Sequence, residues 1–181
     1  MVCVHKQSAL ILLVVLLLAT CAVAQDSSAR LQSAHAGSSL AEVRDMRRVL
    51  LVVFRSRVLD ASGNERAIIE DVLKADPRPK GRFRWVHALI ARKLDKYKEK
   101  YRSLFPAEGL ADADYVIYFN VLEFRRILDT IYPYGELFVI VKGSPEELKP
   151  PRVVWRANKV LFAEDAIGNL IKELKAVRGE G

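Results

Sequence analysis

Cysteine is absent from the chain beyond residue 21; both cysteines, Cys3 and Cys21, lie near the start of its 181 residues. A disulfide scaffold, a cysteine nucleophile and a cysteine-based zinc site are thereby excluded for the remainder. Histidine is almost as scarce: His5, His35 and His87 are the only three. With no paired histidines, a zinc site would need scattered carboxylates. No Gly-x-Ser-x-Gly, His-Glu-x-x-His or Gly-Lys-Ser/Thr motif occurs, so the common hydrolase and phosphate-loop signatures are missing. No internal repeat is present. The expectation is a protein without cofactor or metal, and not an enzyme.

What is there begins with a targeting pattern. Lys6 precedes an uncharged apolar run from Ala9 to Ala24. That run is shorter than the roughly 20 residues of a membrane-spanning helix. Ala22-Val23-Ala24 has the small-x-small spacing that signal peptidase reads. A signal peptide over residues 1–24, cleaved after Ala24, is predicted, with an exported product in the periplasm or outside the cell. The alternative is a lipid anchor. Leu18-Ala19-Thr20-Cys21 resembles a lipobox, with Thr20 where Gly, Ala or Ser is usual, so Cys21 is the candidate for lipidation. Residues 25–45, Ser- and Ala-rich without apolar periodicity at their start, read as a flexible tether.

The folded domain is expected over residues 46–178, with a short tail over 179–181. Arg47 to Phe54, "RRVLLVVF", reads as a strand buried on both faces. Ser62 and Glu65 have capping-box spacing ahead of a short helix, "ERAIIEDVLKA". A longer helix is predicted from Arg84 to Leu104, because apolar residues recur at Val86, Leu89, Ile90, Leu94, Tyr97, Tyr101 and Leu104; Pro106 and Gly109 end it. Three strands follow: "DYVIYFNVLEF", "GELFVIVKG" and "RVVWRANKV". An amphipathic helix over about Phe162 to Val177 closes the chain, and Gly168 is expected to let it approach the sheet. The fold class is α+β. A mixed sheet of about four strands, in chain order β-α-α-β-β-β-α, carries helices mainly on one face.

Candidate chemistry is thin. His87 lies on the long helix, where a structural or solvent-facing role is usual. Asp112 and Asp114 precede the first meander strand. Alternation places Glu123 on the Phe119 face of that strand. A hydrolase using Asp114 or Glu123 is one alternative; exposed ion pairing is the plainer explanation of such carboxylates. The formal net charge is +7, and removal of Lys6 leaves +6. The cations form two groups: Arg92, Lys93, Lys96 and Lys100 on the long helix, and Arg125, Arg126, Arg152 and Arg156 around the meander. In a regular strand, Arg152 and Arg156 share an open face with Val154, while Val153 and Trp155 enter the core. Such a basic face suits either solvent or an anionic membrane or envelope polymer. Nucleic acid is not expected as a partner of an exported chain.

Between the first two meander strands lies "RRILDTIYPYG". Pro133 and Gly135 suit a turn. The two tyrosines beside the proline suit a contact surface, or equally the cap of a core. The connection is longer than a tight hairpin requires. It is therefore the expected functional loop, with Arg125, Arg126, Tyr132, Tyr134 and Arg156 as the candidate binding residues.

"ADYVI", "GELFV" and "RVVWRAN", followed by a closing helix, resemble the small α/β domains of bacterial cell-envelope proteins. Examples are the amino-terminal domain of TolB, the curli-secretion lipoprotein CsgG and penicillin-binding-protein activator lipoproteins. The likeness follows the order of elements over residues 46–178. It implies a non-enzymatic envelope protein that binds another protein or assembles. The long arginine-rich connection departs from that pattern, and no functional residue carries over. Three functional expectations stand: protein contact in the envelope, a hydrolase, or a basic module docking on an anionic surface.

Overall fold

The computed structural model describes residues 40–57, 64–143 and 149–181. The elements are a 3-10 turn (Leu40–Val43), β1 (Arg48–Phe54), α1 (Glu65–Lys74), α2 (Phe83–Tyr101), β2 (Phe105–Pro106), β3 (Tyr115–Ile127), β4 (Thr130–Val141), β5 (Arg152–Val160) and α3 (Ala163–Arg178). The predicted signal peptide, Ala24, Cys21, His35 and the cap candidate Ser62 lie outside the described residues. At the start of α1 the N-cap position belongs to Asn64, whose side chain makes no capping hydrogen bond.

The strands form one mixed sheet in the order β2-β1-β3-β4-β5. β1 runs parallel to β2 and β3, and β3, β4 and β5 form the expected antiparallel meander. The α+β class and the element order agree with the sequence reading; the fifth strand is the two-residue β2. Helical crossovers suit the parallel β1–β3 pair, since such strands cannot be joined by a tight turn.

Both faces of β3 are covered. Tyr115, Ile117, Phe119 and Val121 pack with Val86, Ile90 and Leu94 of α2 and Ile167, Leu170 and Leu174 of α3. On the other face, Val116 and Tyr118 join Phe138 and Ile140 against Ile68, Ile69 and Val72 of α1. Double burial is why this segment is apolar without alternation. It also pushes the Tyr115 hydroxyl up to about 12, because the phenolate would be desolvated.

Several local expectations fail for identifiable reasons. β5 contains an irregularity where Val139 pairs with Trp155 but Ile140 pairs with Val153. The extra residue, Val154, breaks strict alternation. Trp155 therefore enters the α2–α3 side with Val154, while Val153 enters the α1 side. Arg152 and Arg156 are separated in the same way. Arg152 pairs with Glu42 of the 3-10 turn. Arg156 reaches the α1 side, with its guanidinium 5.9 Å from the Phe138 ring and 4.0 Å from the Glu65 carboxylate. There is no shared open arginine face. α2 ends at Tyr101 on a left-handed Arg102 with φ 53°, so Leu104 is buried from the loop beyond it.

The folded region also takes in more chain than expected. Leu40 and Val43, read as tether, are buried in the main core. Arg178 near the other terminus donates to the carbonyls of Val43, Met46 and Ser103. The expected tail is held as well: the Tyr97 hydroxyl donates to the Glu180 carboxylate. Asp114 performs a similar task where β1 and β3 begin. One carboxylate oxygen accepts the backbone N–H groups of Arg47 and Arg48, each at 2.8 Å.

Two glycines distinguish close approach from mere helix weakness. Gly135 opposes Val121 next to a β-bulge in β3. A Cβ there would lie 2.1 Å from the Asn120 carbonyl oxygen. Gly168 has open space around it and is exposed, so it does not mediate the expected helix–sheet approach. Gly135→Ala is expected to destabilise the fold by about 1–3 kcal/mol through overpacking. Gly168→Ala is expected to stabilise it by about 0.5–1 kcal/mol, the helix-propensity difference. Urea midpoints at unchanged m-value should move in opposite directions.

Candidate functional site

The Val121–Gly135 pivot separates the sheet from an arm. β1 stops pairing with β3 at Asn120, and β5 stops pairing with β4 at Val160, opposite Gly135. Glu123 to Ile127 and Thr130 to Tyr134 continue together as a two-stranded ribbon. Five residue pairs at ~3.4 Å each give a ribbon about 17 Å long. The turn is Leu128-Asp129, since Ile127 pairs with Thr130. The expected long loop is therefore a tight hairpin, and "YPYG" lies within β4. Pro133 is compatible with that strand because β5 has already ended beside it; proline is confined to such edges.

An isolated two-stranded ribbon is marginal in water, and side chains brace this one. Phe124 stacks on Phe83 of α2, with centroids 6.2 Å apart. Arg82 lies 5.9 Å from the same Phe124 ring. The Arg125 guanidinium sits 3.5 Å from the Tyr134 ring centre and pairs with Glu123. Tyr132 meets Phe162 edge-on at 5.0 Å. Arg126 reaches Asp129 at 3.6 Å across the turn. The bulge between Val121 and Glu123 shifts the alternation, so Phe124, not Glu123, joins the Phe119 side.

What the brace leaves outside is apolar. Leu128 is 91 % exposed, Ile131 47 % and Trp85 44 %. Arg82, Trp85, Phe124 and Ile131 line a shallow hollow of about 300 Å³ between the arm and α2. Leu128 also has φ 54°, a conformation uncommon outside Gly, Asn and Asp. An exposed leucine in a strained backbone at the tip of an arm serves no core.

Of the five candidate binding residues, Arg125, Arg126, Tyr132 and Tyr134 share this arm. Arg156 does not; its side chain is only 14 % exposed and its Nε donates to Asn158. Leu128, Ile131, Trp85 and Phe162 were not among the sequence candidates. A signal for Trp85 existed, because it falls beside Val86 and off the apolar stripe of α2.

The candidate carboxylates do not meet. Asp114 and Glu123 stand nine residues apart on an extended chain, about 30 Å at ~3.3 Å per residue. Asp114 is occupied by two backbone donors and Glu123 by Arg125. Among the described residues, no cluster of three or more His, Cys, Asp or Glu side chains is placed to hold a metal ion. No helix among them is long and apolar enough to cross a membrane. No known protein-family model matches the chain, and comparison with curated proteins finds no significant match.

Two outcomes follow from these positions. Asp114→Ala should lower stability by about 1–3 kcal/mol, because it removes two backbone hydrogen bonds to a charged acceptor. Glu123→Gln should change it by less than about 0.5 kcal/mol, as exposed pairs do. Chemical denaturation of both variants checks the contrast.

His87 supplies a pH test. Burial holds its imidazole below the ordinary 6.5, partly opposed by a hydrogen bond to the Leu51 backbone. The unfolded state thus takes up the proton more readily than the folded state. His87's contribution is complete above about 6.5 and declines as pH falls through that value. Thermal melts of wild type should show this decline on acidification, and His87→Gln should make it shallower.

Proposed function

We propose that this is an exported, non-enzymatic protein that works by contact with another protein through the β3–β4 arm. The observation that carries the reading is the arm itself. It continues past both neighbouring strands and holds Leu128 and Ile131 toward solvent, beside the exposed Trp85 of α2. Rotamer-poor aromatic and apolar side chains on a braced ribbon favour contact at low ordering cost. Arg82 lines the hollow beside Trp85 and Ile131 and Arg126 lies opposite Ile131 in the ribbon, so the fitting partner has an apolar ridge bordered by carboxylates. Export rests on the apolar run and small-x-small site before Gln25. The resemblance to envelope domains belongs to the same proposal. The hydrolase alternative finds no support in the geometry, because Asp114, just before β3, and Glu123, at the base of the arm, stand far apart and each has another occupation.

Leu128→Ser/Ile131→Ser tests the arm without touching its braces. In affinity capture from envelope extract, wild type should retain a partner that this variant loses at least about tenfold, the scale of a small hot spot. Equal recovery of every captured protein by a variant with an unchanged circular-dichroism spectrum would exclude the arm as the contact surface.

A further inference from the structure

A second feature lies at the carboxyl end of β1, apart from the exposed tip of the arm. A cavity of about 480 Å³ is lined by Arg55, Arg57, Lys74, Arg78 and Lys80. Among the described residues, two carboxylates, Asp71 and Asp76, share its lining, and both are engaged. Asp71 accepts the Ser56 hydroxyl at 2.6 Å and the Arg57 backbone N–H at 3.4 Å. Asp76 accepts the Arg78 backbone N–H at 3.0 Å and pairs with Lys80 at 3.1 Å.

The guanidinium groups of Arg55, Arg57 and Arg78 are different. Among the described residues, none makes a side-chain hydrogen bond or an ion pair. Three uncommitted cations around one cavity repel one another, and nothing in the core requires them there. Arg55 and Arg57 leave the end of β1, and Arg78 lies between Pro77 and Pro79, which fix the flanking backbone. Val53, Phe54 and Phe83 complete the lining with apolar surface.

A cavity at the other end of β1 makes a useful contrast. It measures about 670 Å³, but its charged groups are largely committed. Arg152 pairs with Glu42, Lys142 donates to the Leu110 and Ala111 carbonyls, and Asp114 holds β1.

We infer that the Arg55–Arg57–Arg78 cavity is a binding site for a multiply charged phosphate-type oxyanion. Planar guanidinium forks match such oxygens in pairs and remain charged at every physiological pH. The oxyanion is either a free phosphate compound or a phospholipid headgroup. The site does not depend on the proposed role of the arm.

Calorimetric titration of the full folded chain with pyrophosphate at low ionic strength tests it. Binding should be sub-millimolar and weaken steeply as salt shortens the screening length to about 10 Å. Arg55→Gln/Arg78→Gln should weaken it at least about tenfold. Lys96→Gln/Lys172→Gln removes the same charge from exposed helix positions and should leave it within about twofold. Sedimentation with phosphatidic-acid vesicles, competed by pyrophosphate, identifies a headgroup site; pyrophosphate binding without vesicle binding identifies a soluble ligand. No binding by ~10 mM pyrophosphate at low salt, or equal weakening in both double variants, overturns the inference.

Discussion

The structure turns on the contact between Gly135 and the Asn120 carbonyl. On one side of it the sheet is five strands wide and covered on both faces. On the other side, β3 and β4 go on alone. The bulge in β3 bends the ribbon there, and the bend brings the β4 backbone so near Asn120 that no side chain fits at position 135. The same shift turns Phe124 toward Phe83. Without that turn the arm would lose its main attachment to α2. Core register and arm orientation are therefore set by a single local constraint.

Much of the core was legible because it follows simple periods. Val86, Ile90, Leu94 and Tyr97 recur at helical spacing and are buried. Tyr115, Ile117, Phe119 and Val121 alternate with Val116, Tyr118 and Asn120, and both sets are buried because both faces are covered. Bulges defeat such reasoning. Each inserts one residue, and every side chain beyond it changes face. That is why Glu123 was put on the wrong face, and why Val153 and Trp155, both buried as expected, were put on one face when they enter opposite ones.

The arm was hidden for a different reason. Two-residue hairpin turns are usually recognised by Asn-Gly or Asp-Gly, whose small residues accept positive φ. Here the turn is Leu128-Asp129, and leucine occupies the left-handed region. The proline and glycine of "YPYG" drew the turn five residues too far along the chain, to Pro133-Tyr134 instead of Leu128-Asp129. Pro133 instead tolerates an edge position, and Gly135 relieves a steric collision. Arg125, Arg126, Tyr132 and Tyr134 were nonetheless grouped correctly, because strand pairing brings together residues that a loop would also have clustered. The local Glu123–Arg125 pair was legible as exposed ion pairing, but charge partners distant in sequence were not. Nothing in sequence spacing joins Arg178 to Met46 or Asp114 to Arg47; these contacts depend on how the termini fold back on the sheet.

Sorting the charges by occupation gives the surface its meaning. Arg178 and Asp114 satisfy backbone groups at the ends of elements, where unpaired donors and carbonyls are costly. Arg152 and Arg156 tie β5 to neighbouring segments. Among the described residues, Arg55, Arg57 and Arg78 around the β1 cavity have no comparable task, and neither does the apolar tip of the arm. Phe83 stands between these two regions, stacking on Phe124 on one side and lining the cavity on the other. Adjacency alone transmits nothing, since coupling requires two arrangements that ligands distinguish. A well-packed aromatic stack offers one arrangement, so occupation of the cavity should leave the arm's affinity unchanged to first order. The two surfaces then add rather than switch: an acidic partner gripping the arm and an oxyanion in the cavity would be held at once, joined by the rigid start of α2.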